Sequence, residues 1–163
     1  MLKRLLIVAA LTLAGTTGAN AQIVALGASN TAGYGVGASA AFPALIEQML
    51  SARGKPMSVS NAGVSGDTTG GMLARLSSAA PAGTKIVLLQ IAGNDAFRGM
   101  SAATAAANRA EIRKQLHARG IRTIEVDGLV QATVRSGLRQ ADGIHMTAEG
   151  HRRVAAQIAA QIR

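Results

Sequence analysis

Short apolar runs ending in glycine alternate along this chain with longer segments whose apolar residues recur every three or four positions. Ile23-Val24-Ala25-Leu26 runs into Gly27, which predicts a strand entering a turn. From Ala40 to Arg53, residues Phe42, Leu45, Ile46, Met49 and Leu50 fall at helical spacing, and Gly54 stops the helix. Met57 to Ser60 predicts a second strand, again followed by a glycine-bearing turn, and Thr69 to Ser77 a short helix. The clearest buried strand is Lys85 to Ile91, continuous and partly β-branched. Ala102 to Arg119 predicts a helix stopped by Gly120, and Ile121 to Val126 a fourth strand. Thr147 is placed to N-cap a last helix through Gln161, with Val154, Ile158 and Ile162 on one side. Between Val126 and Thr147 the pattern predicts no element.

This alternation predicts an α/β fold of three layers, α/β/α, with a flavodoxin-like parallel sheet of about four to five strands. In such sheets ligands sit in the loops at the carboxyl ends of the strands. The polar clusters fall there: Gly27 to Gly37, Asn61 to Thr69, Gly93 to Gly99, and Asp142 to His151 before the last helix.

The first residues have a different character. Lys3 and Arg4 precede an apolar run from Leu5 to Ala14, and a small, polar stretch ends in Ala19-Asn20-Ala21. That predicts a secretory leader cut after Ala21, a single domain over residues 22–163, and a periplasmic or secreted product. The absence of cysteine excludes disulfides and thiol-based metal or redox chemistry. Without Lys3 and Arg4 the 17 basic side chains become 15 against 8 acidic ones, a formal charge of +7. A basic surface attracts anions, which allows weak attraction to anionic envelope surfaces. It does not predict nucleic-acid binding. The arginines are scattered, and one Tyr and two Phe offer almost no platform for stacking bases.

Ser29 lies two residues beyond the first strand, beside Gly27, on a turn that would expose its hydroxyl among backbone N–H groups. Taken alone it reads more readily as an ordinary Gly-Ser turn. Asp142 and His145, three residues apart, can meet directly on one turn, a base and the group that orients it. Alternatively they satisfy backbone groups at a helix approach. A metal reading of Asp142, His145 and His151 is disfavoured, because two histidines six residues apart across a helix start make no obvious ligand face. Two further loops supply donors for a developing oxyanion: Gly63 through its backbone N–H and Asn94 through its carboxamide. Gly33-x-Gly35-x-x-Ala38 loosely matches a dinucleotide fingerprint, but it lies too far beyond the strand end, and Arg53 and Lys55 occupy the region of the required acid.

In order, the four loops resemble the four blocks of the SGNH (GDSL-like) hydrolases, nearest the small arylesterase and lysophospholipase-like group. Gly27 to Gly35 resembles the Gly-Asp-Ser-Leu block with its trailing Thr-Ala-Gly-Tyr-Gly. Asn61 to Thr69 resembles the glycine-bearing second block, Gly93-Asn94-Asp95 the Gly-x-Asn-Asp block, and Asp142 to His151 the Asp-Gly-x-His-Pro block. The resemblance implies Ser29 as nucleophile, His145 as base and Asp142 as its orienter. It implies an oxyanion hole of the Ser29 and Gly63 N–H groups with the Asn94 side chain. It also implies a small-molecule ester substrate hydrolysed through an acyl-serine, with no metal or cofactor. Three positions depart from the pattern: Ala28 stands for Asp, Asn30 for Leu and Met146 for Pro. The segment from Asn94 to Asp142 is also shorter, with one strand where the family has two. These departures leave open a second reading, a binding module that keeps the fold and has lost turnover.

Overall fold

The computed structural model describes residues 22–162. The predicted leader therefore lies outside the described residues. Four parallel strands, β1 (Ile23–Gly27), β2 (Val59–Gly63), β3 (Ile86–Leu89) and β4 (Arg122–Glu125), form one sheet in the order β2-β1-β3-β4. Ile23 pairs with Val59 on one side and Ile86 on the other, which brings Gly27 level with Gly63. The two central strands are buried along their whole length, so their apolar runs are continuous rather than alternating.

Alternate residues of each strand feed opposite cores. Ile23, Ala25, Ile86, Leu88 and Ile124 pack under helices α2 (Phe42–Ala52), α7 (Asp127–Arg135) and α8 (Ala148–Gln161). Val24, Leu26, Val87 and Leu89 pack under α3 (Thr69–Ala74), α4 (Leu76–Ala79) and α6 (Ala102–Ala118). This is the predicted three-layer α/β/α arrangement, and each fully buried Leu or Ile contributes roughly 1.5–3 kcal/mol to it. Short helices α1 (Ser29–Ala32) and α5 (Asn94–Phe97) begin in the loops at the carboxyl ends of β1 and β3. Among the described residues no helix is long and apolar enough to cross a membrane.

Two expectations are corrected. The second strand runs from Val59 to Gly63, not from Met57 to Ser60. It is an edge strand, and its pairing with β1 carries it through Asn61, Ala62 and Gly63, which have no strand-like pattern of their own. The stretch after β4 is not bare loop. Helix α7 starts directly at Asp127 and buries Val130 against the sheet.

Candidate active site

The loop after β1 is shaped by two close approaches. A side chain at Gly27 would collide with Thr31 and come within 3.0 Å of the Gln90 Cβ. Gln90, buried at the end of β3, accepts from the Thr31 hydroxyl at 2.8 Å and from the Ala28 N–H at 3.4 Å through the same Oε1. The chain is thereby turned so that Ser29 opens α1. Among the described residues the Ser29 N–H has no acceptor. Ala28 points into the core, 2% exposed, so no charged group stands beside the serine from that position.

The loop before α8 turns at Gly143, whose φ of +75° lies in the left-handed region. The turn lets Asp142 Oδ1 accept from the backbone N–H groups of Ile144 (2.9 Å) and His145 (3.0 Å). Its Oδ2 accepts from His145 Nδ1 at 2.7 Å. The His145 N–H, then the His145 ring, then the Ile144 N–H hold the Asp142 carboxyl well below its usual range, to about 2. An ionised carboxylate cannot donate, so Nδ1 carries the ring proton and Nε2 is left as an acceptor. The Ser29 hydroxyl meets that Nε2 at 2.9 Å. Tyr34 lies against the His145 ring, centroids 4.3 Å apart and tilted by 34°. The structure therefore brings Ser29, His145 and Asp142 into one hydrogen-bonded chain.

Gly63 and Asn94 stand in the two adjoining loops. The Gly63 N–H donates to Asn61 Oδ1 at 2.9 Å, so in this state that donor is engaged. Asn94 Nδ2 donates to the Asp67 carbonyl at 2.9 Å, which leaves its second N–H. The two loops are braced together. Buried Asp95 accepts from the Thr69 hydroxyl at 2.6 Å and the Thr69 N–H at 3.1 Å. Arg75 pairs with Asp67 at 2.8 Å and reaches the Gly27 carbonyl at 3.2 Å.

Sequence reasoning did not find several of these supports. Gln90 reads as the end of a buried strand. Asp127 accepts with both oxygens from the Ile91 and Ala92 N–H groups, each at 3.0 Å, and so fixes the approach to Asn94. Burial raises its pKa above the usual range, against the two backbone donors. The sequence pattern predicts no element at Asp127, so nothing local singles it out. Asn30 holds the backbone on both sides of His145. His151, counted among metal candidates, lies in the core beneath α2 and accepts from the Phe42 N–H at 3.2 Å.

A parallel α/β/α sheet with a serine after its first strand and an Asp-x-x-His turn before its last helix defines the fold and site of an SGNH-type hydrolase. The model of the GDSL-like Lipase/Acylhydrolase family matches residues 25–141, and the chain belongs to that family. The matched stretch contains Ser29, Gly63 and Asn94 and ends one residue before Asp142. The chain is similar to the esterase TesA of Pseudomonas aeruginosa, 33% identical over 103 residues that make up 63% of this chain and 51% of that one. It is likewise similar to an arylesterase of Vibrio mimicus, 34% identical over 100 residues, 61% of this chain and 50% of that one. The matched stretch thus spans about half the length of these curated relatives. A crystal structure of TesA shares the fold with a TM-score of 0.76 at 24% identity, over 86% of this chain and 97% of that one.

Proposed function

We propose that this protein is a serine esterase that hydrolyses small acyl esters through an acyl-serine intermediate. The observation that carries the reading is the continuous relay from Ser29 Oγ through His145 to Asp142, at 2.9 and 2.7 Å. Similarity to proteins named as an esterase and an arylesterase supports it. In this reading Ser29 attacks the ester carbonyl while Nε2 of His145 takes its proton. Asp142 keeps the tautomer and stabilises the imidazolium that forms. The oxyanion is met by the Ser29 N–H, the free Asn94 N–H and the Gly63 N–H, the last by exchanging Asn61 for substrate. His145 then protonates the departing alkoxide, and water repeats the sequence on the acyl-enzyme. No step calls for a metal or cofactor.

The surroundings favour short apolar acyl or aryl esters over acetylated sugars. A groove of about 380 Å³ adjoins the relay through Asn30 and Ile144, walled by Ala92, Val130 and Val134, with the polar side chains of Asp127, Gln131 and Arg135 also on its lining. Of the large apolar side chains exposed among the described residues, Tyr34, Val64 and Ile144 lie on loops that border the site, and Phe97 ends the short helix α5 that begins at Asn94. The leader-like residues 1–21 support export to the periplasm or medium.

The test is hydrolysis of p-nitrophenyl acetate and butyrate by wild type, Ser29→Ala and His145→Ala. Both variants are expected to lose at least about 10³-fold in kcat. One observation favours the second reading, a binding module without turnover: the Gly63 N–H is already held by Asn61. A folded wild type no faster than the two variants would select it.

A further inference from the structure

We propose that Asn30 is a positioning residue that locks the His145 loop to the helix bearing Ser29. The inference rests on the esterase reading and assigns a role that the four blocks do not carry. Asn30 follows Ser29 directly in α1 and is 7% exposed. Its carboxamide straddles His145. Oδ1 accepts from the Met146 N–H at 2.9 Å, a buried bond, and Nδ2 reaches the Ile144 carbonyl at 3.4 Å. One side chain thus grips the residues before and after the base, across a separation of 116 positions from Met146.

The physical consequence is geometric. Hydrogen bonds within the turn fix Asp142 against His145, but they say nothing about where that turn sits relative to Ser29. Gln140 braces the same loop by donating to the carbonyls of Tyr34 and Met146, both at 2.8 Å, but Tyr34 lies beyond α1. Asn30 is the brace that starts one residue from the nucleophile. It therefore sets the 2.9 Å approach of Ser29 Oγ to Nε2 most directly.

The two parties to this bond are also two of the three positions that depart from the resembled blocks. A leucine at position 30 could not accept a hydrogen bond, and a proline at position 146 would have no N–H to satisfy. In this chain the Asn30 carboxamide and the Met146 N–H depend on each other, because losing either one alone leaves a buried polar group unpaired.

The experiment compares wild type, Asn30→Leu and Asn30→Asp by kcat, KM and pH profile on p-nitrophenyl butyrate, with Ser29 labelling by a fluorophosphonate probe as a second readout. Circular dichroism checks folding of each. Asn30→Leu removes the acceptor and is expected to lower kcat by about 10²-fold, the scale of a small misplacement of a reacting group, with KM little changed. Labelling slows in parallel. Asn30→Asp keeps the acceptor of the shorter 2.9 Å bond from the Met146 N–H, loses only the 3.4 Å contact to the Ile144 carbonyl, and is expected to retain most of kcat. Its new carboxylate favours the imidazolium, so the ascending limb of its profile moves to higher pH. If Asn30→Leu does not fold, the retained kcat and shifted limb of Asn30→Asp carry the test. An active wild type with Asn30→Leu equally fast, or with both variants equally slow and no shift of the limb, overturns the proposal. A wild type silent toward both ester and probe overturns the esterase reading, and this proposal with it.

Discussion

Gly63 is placed under two constraints at the level of single atoms. It lies level with Gly27 across the sheet, and the backbone of α1 passes directly over it. A Cβ there would sit 2.7 Å from the Thr31 carbonyl carbon and 2.8 Å from the Ala32 Cα. Backbone cannot rotate away as a flexible side chain can, so α1 would have to move, and Ser29 is its first residue. Gly63→Ala is expected to cost about 1–3 kcal/mol of stability, the usual scale of overpacking. It should also lower kcat more than it raises KM, because the displaced group is the nucleophile. Thermal unfolding and steady-state kinetics on one preparation check both effects. An alanine variant that melts and turns over like wild type would show that α1 yields freely. The glycine is therefore explained by the passage of α1 as well as by its candidate N–H, and sequence alone offered only the second reason.

Helices α2 and α8 meet on one side of the sheet, and His151 is their polar contact. Its Nδ1 accepts from the Phe42 N–H, in the first turn of α2, so the proton sits on Nε2, which has no partner among the described residues. Burial holds this histidine near pKa 4, against 6.5 when free. The folded form thus refuses a proton that the unfolded chain accepts. Stability is whole above about pH 6.5 and falls as pH drops toward about 4, by up to about 3 kcal/mol. Urea unfolding at about pH 7 and about pH 4.5 reads this slope. His151→Leu should flatten the slope and impose a constant loss of about 1–3 kcal/mol for the unpaired Phe42 N–H. Equal slopes in the two proteins would remove His151 as the source. The buried strands β1 and β3 and the helices α2, α6 and α8 were legible, because continuous apolar runs and three-to-four spacing are local signals. Helix α7 was not, because the stretch after Val126 carries no local pattern that predicts an element. The helix forms because Val130 finds the sheet and Asp127 finds the Ile91 and Ala92 N–H groups. Residues 29, 63, 94, 142 and 145 could be picked out as an ordered set. Gln90, Asn30 and Asp127 could not, since each acts through partners more than 30 positions away.

Across the whole molecule the carboxylates are already committed. Asp67, Glu111, Glu125 and Glu149 pair with Arg75, Lys114, Arg113 and Arg152, and Asp142 holds His145. Glu47, Asp95 and Asp127 accept from backbone or hydroxyl donors instead. Arg53, Lys55, Lys85, Arg98, Arg109, Arg119, Arg122, Arg135, Arg139 and Arg153 form no salt bridge to a carboxylate among the described residues. The surplus charge therefore lies on the surface and faces solvent, where its field reaches about 10 Å at 0.1 M salt and about 3 Å at 1 M. A scattered cationic surface of this kind attracts an anionic layer without a dedicated site. Ser29→Ala, which cannot form the acyl-serine, is expected to co-sediment with vesicles containing phosphatidylglycerol at low salt. It should release them as salt rises and ignore vesicles of phosphatidylcholine alone. Binding that survives high salt, or that is equal on both lipids, would mean that the exposed apolar loops and not the charge make the contact. No binding at low salt would leave the net positive surface as a matter of solubility only. The surface charge acts at a range of many ångströms, whereas the Ser29–His145–Asp142 relay depends on contacts below 3 Å. Salt should accordingly alter where the protein resides while leaving kcat on a neutral soluble ester unchanged.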